Sequence, residues 1–135
     1  MSQENVEIAR RGVEVFNADD TARFVNFWDP DCEFFTITGS QMAGTPYRGH
    51  EGLRQYMVEK AEAWTELRFE TEEMLEGKDA DAVVAIGHLR GEGRGSGVSV
   101  EQRIGITWKL RDGKIRHCRA YPDPNEALEA VGLRE

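Results

Sequence analysis

The chain has 135 residues, 39% of them hydrophobic and 31% charged, a composition that suits one globular domain over residues 1–135 rather than a disordered chain. Seventeen basic against 25 acidic residues give a net charge of −8, which argues against nucleic acid and anionic membranes as partners. The longest apolar run, Ala82 to Ile86, is too short to cross a bilayer, and Glu4, Glu7, Arg10 and Arg11 break up the start where a secretory signal needs an apolar stretch, so the expectation is a soluble, cytoplasmic protein.

Val6, Ala9, Val13 and Phe16 recur at helical spacing and predict a first helix, closed by a turn at Asn17-Ala18-Asp19-Asp20. A short second helix is expected to carry Ala22, Val25 and Trp28 inward and to end near Pro30. The aromatic and β-branched residues from Cys32 to Thr38 read as a strand, and Gly39 to Gly49 as a loop. Leu53, Tyr56, Met57, Lys60, Ala61 and Trp64 share one face of a third helix, with the Lys60 stem at its edge.

After Trp64 the period changes to two. Leu67, Phe69, Thr71, Glu73 and Leu75 alternate towards a turn at Gly77-Lys78-Asp79, and a strand from Val83 to Gly91 follows. Val98 to Leu110 is a long strand, Asp112-Gly113 is a hairpin turn, and Ile115 to Tyr121 is the last strand. Asp123-Pro124-Asn125-Glu126 opens a short terminal helix. Helices first and hairpin-linked strands afterwards indicate an α+β fold, with helices packed on one face of a mostly antiparallel sheet.

Few residues suggest chemistry. The tract Gly91-Glu92-Gly93-Arg94-Gly95-Ser96-Gly97 lacks a dinucleotide fingerprint and joins two strands, so it reads as a hairpin end, with Arg90 and Arg94 as conceivable anion contacts. His50, His88 and His117 lie far apart, and Cys32 and Cys118 match no ligand spacing and read as reduced thiols, so neither a metal nor a cofactor is expected. His88 shares strand parity with Val84 and Ile86, which would aim it inward, and Gln102 shares parity with Ile104 and Ile106 and could partner it. Arg103, His117, Arg119 and Tyr121 fall on the other parity, expected to be solvated or dimer-facing. An interior pocket would be shaped by Phe16, Trp28, Phe34, Tyr56, Ile106, Trp108, Cys118 and Ala120, with Thr36, His88 and Gln102 as its polar contacts.

The segment Val15-Phe16-Asn17-Ala18-Asp19-Asp20, the Asp29-Pro30-Asp31 step, the loop Pro46-Tyr47-Arg48-Gly49-His50-Glu51-Gly52-Leu53, Trp108 with Arg111-Asp112-Gly113-Lys114-Ile115, and the tail Glu126-Ala127-Leu128-Glu129-Ala130 together resemble SnoaL-like proteins of the NTF2-like superfamily. The resemblance implies a cone of three helices on a strongly curved sheet, a deep pocket, and often a homodimer packed through sheet surfaces. Relatives include ketosteroid isomerases, polyketide cyclases and epoxide hydrolases. Carried onto this chain, the isomerase pattern places its tyrosine at Gly12, its base at Thr36 and its neutral acid near Ile106; the cyclase pattern places its histidine at Ile106 and its aspartate at Ala120. None of these side chains can do that chemistry. The expectation is therefore a pocket for a small, largely apolar molecule. The alternatives are an isomerase, cyclase or hydrolase using His88, or a homodimeric interaction protein with a vestigial pocket.

Overall fold

The computed structural model describes residues 2–38 and 44–134. Helices α1 (Ser2–Asn17) and α2 (Thr21–Asn26) come first, then strands β1 (Trp28–Phe35) and β2 (Tyr47–Arg48), then helix α3 (Gly49–Ala63). Strands β3 (Trp64–Glu76), β4 (Ala82–Gly93), β5 (Ser99–Arg111) and β6 (Lys114–Tyr121) follow, and α4 (Pro124–Ala130) ends the fold. Among the described residues the six strands make one sheet in the order β2-β1-β6-β5-β4-β3, antiparallel except where β1 meets β6. This is the α+β cone expected, with α1, α2 and α3 on the concave face.

Three local differences from the expected elements have physical causes. Trp28 opens β1 rather than closing α2, because Asp20 caps a helix of only six residues and its last turn ends at Phe27. Pro30 then sits inside β1, at the stretch where the β1–β6 register shifts and no ladder hydrogen bond is required of it. The loop expected from Gly39 begins outside the described residues, and its far end contains the two-residue strand β2.

Curvature comes from irregularities in the ladder. The β3–β4 register shifts between Thr71 and Glu73, which leaves Glu72 as an extra residue and inverts the faces beyond it. Leu67 and Phe69 are accordingly buried, whereas Met74 rather than Leu75 packs on the core. Gly87 sits beside this bulge, where a Cβ would come 2.2 Å from the Glu70 carbonyl oxygen, so only glycine lets β3 fold over so closely. A second shift, between Lys109 and Leu110, keeps Ile115 and Cys118 on the same concave face although they are three residues apart.

The hydrophobic core has two parts. The larger fills the cone between helices and sheet. The smaller lies outside it, where α4 places Ala127 and Val131 over Ala82, Val84 and Ile86 on the convex face.

Candidate ligand pocket

Inside the cone is a cavity of about 60 Å³. α1 contributes Gly12, Val13 and Phe16, α2 Phe24, and α3 Tyr56; the rest of the lining comes from β1 and the segment after it, with the concave faces of β3 to β6. Five of these side chains form a closed ring of aromatic contacts. Phe16 meets Phe24 at 5.9 Å, Phe24 meets Trp28 at 5.5 Å, Trp28 meets Phe34 at 5.5 Å, Phe34 meets Tyr56 at 5.0 Å, and Tyr56 stacks back on Phe16 at 6.2 Å between ring centres. These separations fall in the range where tilted and edge-on pairs attract.

Polar atoms in the lining are few. The Tyr56 hydroxyl is 2.7 Å from Thr38 Oγ1, which is 3.1 Å from Thr36 Oγ1. The backbone N–H of Thr38 also donates to Thr36 Oγ1, at 3.2 Å. Burial pushes the Tyr56 hydroxyl up to about 12, against the opposing effect of its threonine partners. Burial also raises the Cys118 thiol well above its usual range. Both groups are therefore neutral at physiological pH, and the described lining contains no carboxylate, imidazole or amine.

Phe16, Trp28, Phe34, Thr36, Tyr56, Ile106, Trp108, Cys118 and Ala120 lie on this cavity. His88 and Gln102 do not. In β4 it is Val83, Ala85, Gly87 and Leu89 that face inward, opposite Trp108, Ile106, Ile104 and Gln102 of β5. His88 points outward with Val84 and Ile86, one step past the cover of α4, where Nε2 stands 3.4 Å from Glu72 and Nδ1 3.6 Å from Glu101. Gln102 is on the concave side but exposed, in a surface depression that adjoins the cavity at Ile37, Thr38 and Leu89. The two residues therefore occupy opposite faces and cannot be partners. The sequence pattern pointed to nine of the eighteen lining residues; Thr38 and Leu89 are among the nine it missed, although Thr38 belongs to the same β-branched run as Thr36.

The basic residues are engaged elsewhere. Arg94 donates to the Ala61 and Trp64 carbonyls at the end of α3, and Arg90 pairs with Glu70 and Glu101, so neither is a spare anion contact. On the convex face, Arg119 lies 4.5 Å from the centre of the Phe35 ring and 5.8 Å from that of Tyr121. His117 lies 5.3 Å from Phe35, and burial lowers its pKa against the pull of Glu33. No group of three or more His, Cys, Asp or Glu among the described residues is placed to hold a metal ion. No helix there is long and apolar enough to cross a membrane.

The SnoaL-like domain profile matches residues 9–118. The chain belongs to this family. Among solved structures, an NTF2-like protein of unknown function from Burkholderia pseudomallei superposes with a TM-score of 0.77 at 17% identity, covering 96% of this chain and 98% of its own. TerC, co-crystallised with polyporic acid, gives 0.76 at 20% identity over 95% and 97% of the two chains. RV0760c of Mycobacterium tuberculosis, in complex with estradiol-17beta-hemisuccinate, gives 0.75 at 20% identity over 87% and 92%. At such identities the likeness is one of fold. No curated protein sequence matches significantly. In this SnoaL-like chain the positions where the resemblance would put reactive side chains, Gly12, Thr36, Ile106 and Ala120, all line the cavity.

Proposed function

We propose that the cone binds a small, uncharged, largely apolar molecule and holds it without acid–base chemistry. The observation that carries this reading is the neutrality of the lining: aromatic and aliphatic walls, three hydroxyls and a thiol, with the family's reactive positions occupied by glycine, threonine, isoleucine and alanine. A buried charge has no partner there, so an ionised ligand would lose its hydration for nothing in return. Two structural neighbours that hold small molecules support binding in this fold. A dry cavity of roughly 150 Å³ admits benzene, so a space of about 60 Å³ takes a ring only if side chains at the mouth, Ile37 and Leu89, move aside.

Native mass spectrometry of freshly purified protein, with solvent extraction of what it carries, tests the reading. One low-polarity molecule per chain is expected, lost in an Ala120→Phe variant that fills the cavity. Retention in that variant would place the ligand elsewhere. A chain that carries nothing, and whose Ile106 and Ala120 methyl resonances ignore dissolved xenon, overturns the reading.

A specific observation favours a second role for the convex face. Phe35, His117, Arg119 and Tyr121 form a partly exposed aromatic and cationic patch, of the composition that interface cores favour. We propose that it pairs two copies of the chain. Sedimentation equilibrium should give a dimer that Arg119→Glu converts to monomer; a monomeric parent chain sinks the idea.

A further inference from the structure

Trp28 is fixed at both its backbone and its ring. His50 Nε2 donates to its carbonyl at 2.7 Å, and the indole stands between Phe24 and Phe34, each 5.5 Å away. The residue lines the cavity and is 2% exposed, yet its buried indole Nε1–H has no acceptor among the described residues. Buried donors are paired in the great majority of cases, because leaving one unmade forfeits the hydration it had in the unfolded chain. An indole N–H can only donate, so what it lacks is an acceptor.

The hydroxyl chain needs the same thing. Tyr56, Thr38 and Thr36 own three hydroxyl protons, and the two contacts between them use two. Among the described residues those two contacts leave one proton over, and the Thr38 backbone N–H adds a donor to the group rather than an acceptor. The polar side of the cavity is thus donor-rich. An alcohol would bring one more proton in search of a partner. A carbonyl oxygen brings two lone pairs and none.

A carboxylate is disfavoured because no cation among the described residues lines the cavity. Lys60 stands 4.3 Å from the centre of the Phe16 ring, but its ammonium is already bound by the Phe16 carbonyl and Asp19. Resting on the reading of the cone as a pocket for a neutral apolar molecule, we propose that the ligand is an aldehyde or ketone whose carbonyl oxygen accepts from Trp28 Nε1–H. Trp28 is then the residue that selects such a ligand over a hydrocarbon of the same shape.

Cyclohexanone and methylenecyclohexane differ only in C=O against C=CH₂, and neither has an aromatic ring current to disturb a nearby proton. Each is titrated into ¹⁵N-labelled protein, with the Trp28 indole resonance identified by its absence in Trp28→Phe and cavity occupancy read from the Ile106 and Ala120 methyls. The ketone should move the Trp28 indole proton downfield and the alkene should not. The ratio of ketone to alkene affinity should fall about tenfold in Trp28→Phe, the worth of one buried donor satisfied. If both ligands shift the methyls and leave the indole proton alike, the carbonyl inference is overturned while the pocket remains. If neither shifts the methyls, the pocket reading itself fails and takes the inference with it. Should Trp28→Phe not fold, Trp64→Phe and Trp108→Phe identify the Trp28 indole resonance by elimination, and its shift in the parent chain decides alone.

Discussion

Lys60 shows how a single side chain can look ordinary in sequence and be unusual in place. Its position at the edge of the apolar face of α3 suggests a stem lying along the core with a solvated tip. Instead the residue is 3% exposed, and its ammonium donates to the Phe16 carbonyl at 3.0 Å and pairs with Asp19 while lying over the Phe16 ring. Asp19 adopts φ 57° in the turn after α1, and its side chain is 61% exposed. The pair therefore has one buried member and one wet one. Removing the wet partner strands a charge in the interior, whereas replacing the buried one with an apolar residue of similar length removes the problem. Asp19→Ala should cost about 2 kcal/mol and Lys60→Met less than about 1 kcal/mol, because the Phe16 carbonyl keeps its bond from the Asp19 backbone N–H. Urea denaturation of the two variants gives the order, and a reversed order would mean that the ammonium is not the buried charge.

At the scale of elements, the sheet was legible where one face was polar and ambiguous where neither was. Trp108, Ile106 and Ile104 identified the inner face of β5, and the Asp112-Gly113 turn carried that identification to Cys118 and Ala120. The run Ala82 to Ile86 offered no such contrast, since α4 buries its outer residues as thoroughly as the cone buries its inner ones. Parity alone cannot choose between two apolar faces, and the choice decided where His88 would point. The Glu72 bulge left no mark in the alternation of β3 either. Asn17 is the opposite case: its place in the family-like segment has a visible cause. Its amide donates to the Phe69 carbonyl and accepts from the Phe69 N–H, both at 2.9 Å, satisfying an edge strand from α1.

The close seat of α4 depends on Gly105, where a Cβ would come 2.4 Å from that of Ala127. Gly105→Ala should therefore lift the helix and cost about 2–3 kcal/mol in denaturant unfolding. Adding Ala127→Gly should return part of that loss. Additive costs would show that the two positions do not touch.

Taken as one molecule, the cone links what is buried to how its stability depends on pH. Burial pushes the Cys32 thiol up to about 11, partly offset by the Gly49 backbone N–H, and the Tyr56 hydroxyl up to about 12; Cys118 moves the same way. All three are uncharged when protonated. The unfolded chain releases these protons from about pH 9 for the thiols and 10 for the tyrosine, while the folded chain still holds them. The stability they contribute is fully present below pH 9 and is lost as the pH rises towards 12. The acid side has the opposite sign. The Asp31 backbone N–H lowers Asp29, and Arg103 lowers Glu72, so their contribution is present above the usual carboxylate range and disappears as the pH falls through their folded values. Between these limits the lining stays neutral, and affinity for an uncharged ligand should be level from pH 6 to about 9. Urea midpoints measured from pH 6 to 11 should hold steady and then decline above about pH 9, with a shallower decline in Tyr56→Phe. A midpoint that stays flat to pH 11 in the parent chain would mean that the thiols and the Tyr56 hydroxyl titrate as they do in water. The neutral, closed chamber would then not be the state the protein occupies in solution.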